Sequence, residues 1–346
     1  MRFFYNIGIE AMVLGIRIAM PFSRKARLWC RGRKGVFRDM ASRIDPSVPT
    51  AWFHAASLGE FEQGRPVIDA FRKAYPAYKI LITFFSPSGY EVRKDFAGAD
   101  YVFYLPADTP RNVRQFLRIV RPRVAMFIKY EFWANYLRLL RKSDARVYII
   151  SAIFRKDSVF FKPWGSFYRR LPDCFDQIFV QDKESVGLLE KIGIRNVTVA
   201  GDTRFDRVYS IASQAREIPE IAAFAASGGK VLVAGSTWPP DEELLLELAH
   251  KYTDLKFIIA PHEIESERID RFIAAARRPA LRYSQLTPES DLAGAGILFI
   301  DTIGMLSSVY GYGHLAYIGG GFGAGIHNIL EAATYGLPLV FGPNYE

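Results

Sequence analysis

The sequence has little cysteine. Cys30 and Cys174 are the two in 346 residues, with no C-x-x-C pair and no Cys/His cluster. That excludes a disulfide framework and a structural zinc site, and it fits a reducing compartment. Long apolar runs are also missing. The first twenty residues are mostly apolar, but Glu10 and Arg17 interrupt them. The longest uncharged run there, 3–9, falls far short of the ~18 residues of a spanning helix. No small-residue cleavage site follows, which argues against a secretory signal. There is no G-x-x-x-x-G-K-[ST] phosphate loop and no D-x-D pair suited to a metal–diphosphate. Gly319, Gly321 and Ala324 fit G-x-G-x-x-A, yet no carboxylate stands ~20 residues further on, as a dinucleotide site requires. A nucleotide held by backbone and helix dipoles, with no metal and no cofactor, is the expectation that survives.

What is present is a globular balance: 50% hydrophobic, 23% charged and 14% aromatic residues. The length accommodates roughly two domains of about 150 residues. The net charge of +9 is concentrated, since residues 1–43 hold ten basic and two acidic side chains. Segment 1–45 therefore reads as an apolar helix followed by a basic cluster at a membrane surface. Its Lys and Arg would meet anionic head groups at about 1 kcal/mol each. A core helix followed by a solvated basic loop is the alternative. Nucleic acid is a poor partner, because no binding motif accompanies the charge.

Short apolar runs alternate with helix-length segments. Strands are expected at 51–55, 79–84, 101–105, 124–128, 146–151, 177–181 and 196–200. A second series follows at 230–234, 256–260, 296–300, 314–318 and 337–341. Helices are expected between them, among them 61–75, 131–143, 303–311 and 327–335. This βαβα rhythm predicts parallel sheets covered on both faces. The domains are expected at 46–208 and 229–346, joined by an Ala/Ser-rich connection, 209–228. They would form two doubly wound α/β (Rossmann-like) domains facing across a cleft, with ligands beyond the strands' carboxyl ends.

Chemistry-bearing residues cluster at those ends. "WFHAASLGE" puts Ser57 and Glu60 after the first strand. Their S-x-x-E spacing is that of a capping box, the plainer reading, while the place of Glu60 past a strand's carboxyl end also lets it face a cleft. "FIKYEFWAN" puts Glu131, and "VAGDTRFD" puts Arg204, past two other strands; a structural salt bridge is the plain alternative for both. In 154–170, Arg155, Lys156 and Lys162 interleave with aromatics. That face suits an amphiphilic phosphorylated ligand, although a solvated loop over an aromatic core would look similar. In the second domain, Ser236-Thr237, Pro261-His262 and Gly304-Met305-Leu306 follow strands. A glycine-rich loop leads through Gly325 and His327 to Asn328-Ile329-Leu330-Glu331. Glycines and a helix N-terminus suit a phosphate, and a carboxylate one turn in suits sugar hydroxyls.

"HAASLGE", "YEFWAN", "VAGDTRFD", "AGSTWPPDEE", "DTIGML" and "GIHNILEAATYGLPLVFGPN" resemble the 3-deoxy-D-manno-octulosonic acid (Kdo) transferases in order and approximate spacing, from about Trp52 to Asn344. The resemblance implies a GT-B glycosyltransferase at the cytoplasmic face of a Gram-negative inner membrane. It would move Kdo from CMP-Kdo to a lipid A precursor in lipopolysaccharide synthesis, with inversion. By that likeness Glu60 is the general base. Glu131 and Arg204, the latter where the family usually has Lys, stabilise the transition state. Ser236, Thr237, Pro261, His262, 304–306, Gly325, His327 and 328–331 form the CMP-Kdo site, and Ser57, Arg155, Lys156 and Lys162 the acceptor site. The family's P-R-H triplet reads Pro261-His262-Glu263 here, which leaves Arg268 as a candidate for the missing arginine. The chain stops at Glu346 where relatives continue for several helices, so a C-terminal truncation is expected. The alternatives are a related UDP-sugar transferase and a non-catalytic nucleotide-binding protein at a membrane surface.

Overall fold

A computed structural model of the chain describes residues 1–213, 217–323 and 325–345. Residues 214–216 of the expected connection, Ala324 of the glycine spacing and Glu346 lie outside the described residues. The chain divides into two units, Met1–Arg204 and Phe205–Glu346. The helix Thr203–Ser213 runs across that division. Within the expected connection, the helix Pro219–Ala226 buries Ile221 and Phe224 in the core of the second unit.

The first unit is built on β1 (Thr50–Ala55), β2 (Lys79–Phe84), β3 (Tyr101–Tyr104), β4 (Val124–Ile128), β5 (Arg146–Ala152), β6 (Gln177–Val180) and β7 (Val197–Val199). All pair in parallel, in the order β3-β2-β1-β4-β5-β6-β7. Every residue of β1, TAWFHA, is buried, as expected for a central strand covered on both faces. Trp52, Phe116, Phe127 and Tyr136 pack on one face, and Phe53, Phe61, Ile82 and Phe84 on the other. The chain reverses its direction of progress between β1 and β4, and such a switch point opens a crevice at the carboxyl ends of its two strands.

Helices α1 (Arg2–Ile18), α2 (Arg24–Arg33) and α3 (Val36–Arg43) precede this sheet. The sequence shows the first of them plainly and conceals the others in the basic cluster. Ser23 starts α2 by accepting the Ala26 N–H, and α3 buries Val36 and Met40 in the core. On α1, Ile9 and Val13 face inward while Phe3, Phe4, Ile7, Leu14 and Ile18 are exposed. Among the described residues no helix is long and apolar enough to cross a membrane.

One buried carboxylate holds α1 in place. Asp108 accepts the Tyr5 hydroxyl at 2.6 Å and the N–H groups of Asn135 and Tyr136 at 3.0 Å each. The Ala134 N–H donates to the Tyr5 oxygen at 3.2 Å, and the Asn135 amide to Asn6 at 2.9 Å. Asp108 thus caps the helix Ala134–Leu140, whose own N-cap residue, Trp133, lacks an oxygen to do so. Helix α4 (Leu58–Ala74) follows β1 and lies close over β4: a Cβ on Gly64 would stand 2.2 Å from Ile128 Cδ1.

The second unit holds β8 (Lys230–Thr237), β9 (Leu255–Pro261), β10 (Ala280–Arg282), β11 (Ile297–Phe299), β12 (Leu315–Ile318) and β13 (Leu339–Phe341). The order is β10-β11-β9-β8-β12-β13, again wholly parallel, and its switch point lies between β8 and β12. The three-residue β10 is the strand the sequence did not predict.

Asp108→Ala should cost about 2–4 kcal/mol, since it uncaps a helix and leaves buried N–H and O–H donors unmatched. Urea unfolding of the two proteins measures this, and a loss below about 0.5 kcal/mol would show that water or neighbours replace the cap.

Candidate functional site

In the first unit the switch point brings two carboxylates to one edge. Glu60 sits half-buried in the first turn of α4. Ser57 occupies the N-cap position, but its side chain caps no backbone N–H. Its hydroxyl donates instead to the Glu60 carboxylate. The reciprocal capping box is therefore not formed: the Ser57 oxygen accepts no first-turn N–H, and the Glu60 carboxylate takes the Ser57 hydroxyl in place of the N-cap backbone N–H.

Glu131 stands in the loop after β4, outside regular structure, since the helix predicted over 131–143 begins only at Ala134. Lys129 turns the chain there with φ of 70°, a left-handed conformation that side chains avoid. The turn delivers Glu131 to fully buried His54, which lies opposite Phe127 in register. His54 Nε2 is 3.0 Å from Glu131 Oε2, and the Trp133 indole N–H donates to the same oxygen at 2.5 Å. Behind the imidazole, Nδ1 lies 2.9 Å from Thr83 Oγ1, which accepts the Trp52 indole N–H at 2.7 Å. Trp52, Thr83, His54 and Glu131 form one chain of hydrogen bonds. Oε2 of Glu131 is anchored, and the carboxylate retains 12% side-chain exposure. Sequence reasoning gave His54 and Trp133 no role; a histidine next to the last residue of an otherwise apolar strand was the available signal.

The remaining first-unit residues form no hydrogen bond or ion pair with either carboxylate among the described residues. Arg204, past β7, grips Asp202 with Nε at 2.7 Å and a terminal nitrogen at 2.6 Å. Lys156 pairs with Glu184 at 3.4 Å, and Arg155 is exposed beside it. Lys162 is half-buried, its carbonyl accepting Arg169 at 2.8 Å. Between them, Phe154, Phe160 and Phe167 are buried. Phe132 packs on Phe154 and Phe160, so these aromatics belong to the core and Trp164 alone of the large ones is well exposed.

The second unit gathers its residues at the β8/β12 switch. Ser236 adopts φ of 55° at the end of β8, and buried Thr237 donates to Glu242 at 2.9 Å. Gly320 has φ of 94°, and a Cβ there would meet the Gly325 carbonyl at 2.5 Å, so the loop closes this tightly only on glycine. Asp241, buried, accepts the Trp238 N–H at 2.8 Å, the Gly320 N–H at 3.0 Å and the Tyr317 hydroxyl at 2.5 Å. The Trp238 indole N–H donates to His327 Nε2 at 2.9 Å, with the two rings nearly coplanar at 12°. Exposed His262, just past Pro261, stacks over both, at 4.7 Å from Trp238 and 4.3 Å from His327. Beside this platform lies a cavity of about 290 Å³, lined by Trp238, Asp241, Gly320, Phe322, Gly325 and His327.

A second cluster joins Gly304, Met305 and Leu306 to the start of the helix Leu330–Ala333. Ser307, next to Leu306, donates to Glu331 at 3.0 Å, and Asn328 to the other Glu331 oxygen at 3.3 Å. The Asn328 side-chain oxygen, Oδ1, accepts the Leu330 N–H at 3.1 Å, and Ile329 packs on the core. Arg268 is committed elsewhere: its Nε faces Glu242 at 3.1 Å and a terminal nitrogen donates to the Glu263 carbonyl at 2.5 Å.

Two parallel-sheet units of this kind, one ending in a glycine loop beside a helix start, are the make-up of the GT-B class. The UDP-GlcNAc 2-epimerase of Methanocaldococcus jannaschii is similar in fold, with a TM-score of 0.51 and 15% identity over 84% of this chain and 82% of that one. The chain belongs to the Kdo transferase family, whose model, described as 3-deoxy-D-manno-octulosonic-acid transferase (kdotransferase), matches residues 29–207, more than half of it. A curated 3-deoxy-D-manno-octulosonic acid transferase of Chlamydophila psittaci is 27% identical over 86% of this chain and 70% of its own length. Its namesake in Aquifex aeolicus is 28% identical over 84% and 75%.

His327 accepts the indole proton only while its Nε2 is bare. Burial, then the charge of neighbouring His262, hold its proton affinity below the ordinary histidine value, against the pull of Asp241. With the folded value below the unfolded ~6.5, the unfolded chain takes the proton first, so this stability is whole above about pH 6.5 and drains as pH falls. His327→Gln keeps an acceptor for Trp238 and cannot titrate. Its melting temperature should fall less than wild type between about pH 7 and 5; identical falls would contradict the assignment.

Proposed function

We propose that this glycosyltransferase moves Kdo from CMP-Kdo to a hydroxyl of a lipid A precursor. The observation that carries the reading is the pair at the β1/β4 switch: Glu131 pinned by two ring nitrogens, and Glu60 half-buried at a helix start with a serine hydroxyl as its one hydrogen-bond partner among the described residues. One carboxylate is fixed in place and the other is free to take up a proton.

The sugar's anomeric carbon carries a phosphate leaving group, so no further activation is needed. The acceptor oxygen attacks that carbon while the bond to the CMP oxygen breaks, and CMP leaves with the electron pair. The acceptor's proton passes to Glu60. Attack opposite the leaving group inverts the anomeric centre. A positioned base contributes about 10²–10⁴-fold, and alignment of the reactants much of the rest. Glu131 lies where positive charge on the sugar ring would be met by a fixed negative one. In the second unit, the Trp238–His262–His327 rings suit a pyrimidine base, the glycine loop a phosphate, and Glu331 sugar hydroxyls.

The same reading places the chain on the cytoplasmic side of an inner membrane, lying on it rather than spanning it. Exposed Phe3, Phe4, Ile7, Leu14, Ile18 and Phe22 would meet acyl chains, and the basic α2 would meet anionic head groups. Glu60→Gln should keep CMP-induced thermal stabilisation and lose acceptor-dependent CMP release by at least about 10²-fold. Release at the wild-type rate would remove Glu60 from the mechanism, and stabilisation by UDP in preference to CMP would remove the donor.

A further inference from the structure

Helices α1, α2 and α3 leave a basin of about 570 Å³ against the loop that follows β3. Val13, Trp29 and Ala107 contribute apolar wall, while Arg17, Arg31, Arg33 and Lys34 line it with positive charge. No carboxylate is among its lining residues. Of the segment's acids, Glu10 lies outside the basin, and Asp39 pairs with Arg38 at 3.4 Å.

The four cations are not equivalent. Arg33 is structural: its guanidinium donates to the carbonyls of Leu105 and Phe85 at 2.8 Å each and of Trp29 at 3.1 Å, and it lies 3.8 Å over the Trp29 ring. Those carbonyls satisfy its N–H groups and leave its charge uncompensated by any anion. Burial accordingly pushes its proton affinity down, to about 9. The side chains of Arg17, Arg31 and Lys34 make no hydrogen bond or ion pair among the described residues. Elsewhere in the unit Arg65, Arg72, Arg93 and Arg146 are all paired with carboxylates. Like charges gathered around one concavity repel one another, and a multiply charged anion in their midst turns that repulsion into attraction. Guanidinium forks and an ammonium around one point match the oxygens of a phosphate.

Two further observations say what carries the phosphate. Exposed Leu14, Ile18 and Met20 flank Arg17 at the rim, so an apolar tail has a surface to lie on next to the charge. On the inner side, the Trp29 ring meets Phe85 at 5.9 Å, Phe85 meets Trp133 at 4.9 Å, and the Trp133 N–H holds Glu131. The basin wall is thus two ring contacts from the catalytic edge. We propose that this basin binds the phosphomonoester of a lipid, with its chains along α1 and its sugar end toward Glu131. This deepens the proposed reaction, and rests on it, by assigning the anionic end of the acceptor to Arg17, Arg31 and Lys34, in place of the 154–170 face to which the sequence pointed.

The test uses the whole chain and short-chain phosphatidic acid in neutral detergent micelles. The comparisons are phosphatidylcholine in the same micelles and inorganic phosphate alone. Arg31→Glu/Lys34→Glu reverses two exposed, unpartnered charges, and Arg155→Glu/Lys156→Glu is the control on the other basic face. Wild type should bind phosphatidic acid and not phosphatidylcholine, and the basin variant should lose about tenfold or more in affinity, the control less than about threefold. Arg17→Glu, on a separate helix, should repeat the loss. Equal losses in basin and control variants would make the effect one of general charge and overturn the site. Inorganic phosphate binding as tightly as the lipid would overturn the lipid assignment. CMP stabilisation should be the same in all variants. Its absence from wild type would sink the donor reading and leave the basin result standing.

Discussion

The arrangement depends on one contact, the approach of Glu131 to the buried ring of His54. The two residues belong to different strands, and their nitrogen and oxygen meet at 3.0 Å only because β1 and β4 are neighbours at the switch point. A carboxylate brought to a protein interior loses water and needs donors in its place. His54 and Trp133 supply them, both to the same oxygen. Thr83 and Trp52 extend the support deep into the sheet, so the position of Glu131 is set by the core itself.

Buried Asp108 organises the other end of the same segment. It caps the helix that begins three residues after Glu131 and at the same time ties Tyr5 of α1 to it. Helix α1, with its exposed apolar side, is therefore pinned next to the segment that carries Glu131. In the second unit buried Asp241 plays a comparable part, joining the β8 end, β12 and the glycine loop through three hydrogen bonds. Left-handed backbone at Lys129, Ser151 and Ser236 falls in each case at the carboxyl end of a strand. Conformations of this cost persist only where surrounding structure enforces them.

Much of the fold was legible because parallel, doubly covered strands must be apolar along their whole length. TAWFHA, KILITF and KVLVA announce themselves that way, whereas ALR of β10 is too short to do so. The carboxyl-end positions of Glu60, Glu131 and Glu331 were legible for the same reason. What the sequence concealed were partnerships between distant residues. Ser57 and Glu60 have the spacing of a capping box, but whether the Ser57 oxygen accepts a first-turn N–H or its hydroxyl merely donates to Glu60 is decided by three-dimensional geometry. His54 reads as one more strand residue until β4 is laid beside β1. Trp238 reads as a helix start until the loop after β12 carries His327 to its indole N–H, 89 residues along the chain. The basic stretch after α1 reads in the sequence as a surface charge cluster or a solvated loop, because only packing on the core reveals Trp29, Val36 and Met40 as the inward faces of two helices.

On the proposed reaction, a cytidylate-activated eight-carbon sugar acid is handed to a phosphorylated lipid. The most direct test is the mass of the lipid after incubation of the chain with CMP-Kdo and a tetraacylated lipid A precursor. A lipid heavier by whole Kdo residues is expected, with CMP released in equal number. An unchanged lipid mass with CMP-Kdo, together with a gain of hexose from a UDP-sugar, would contradict it.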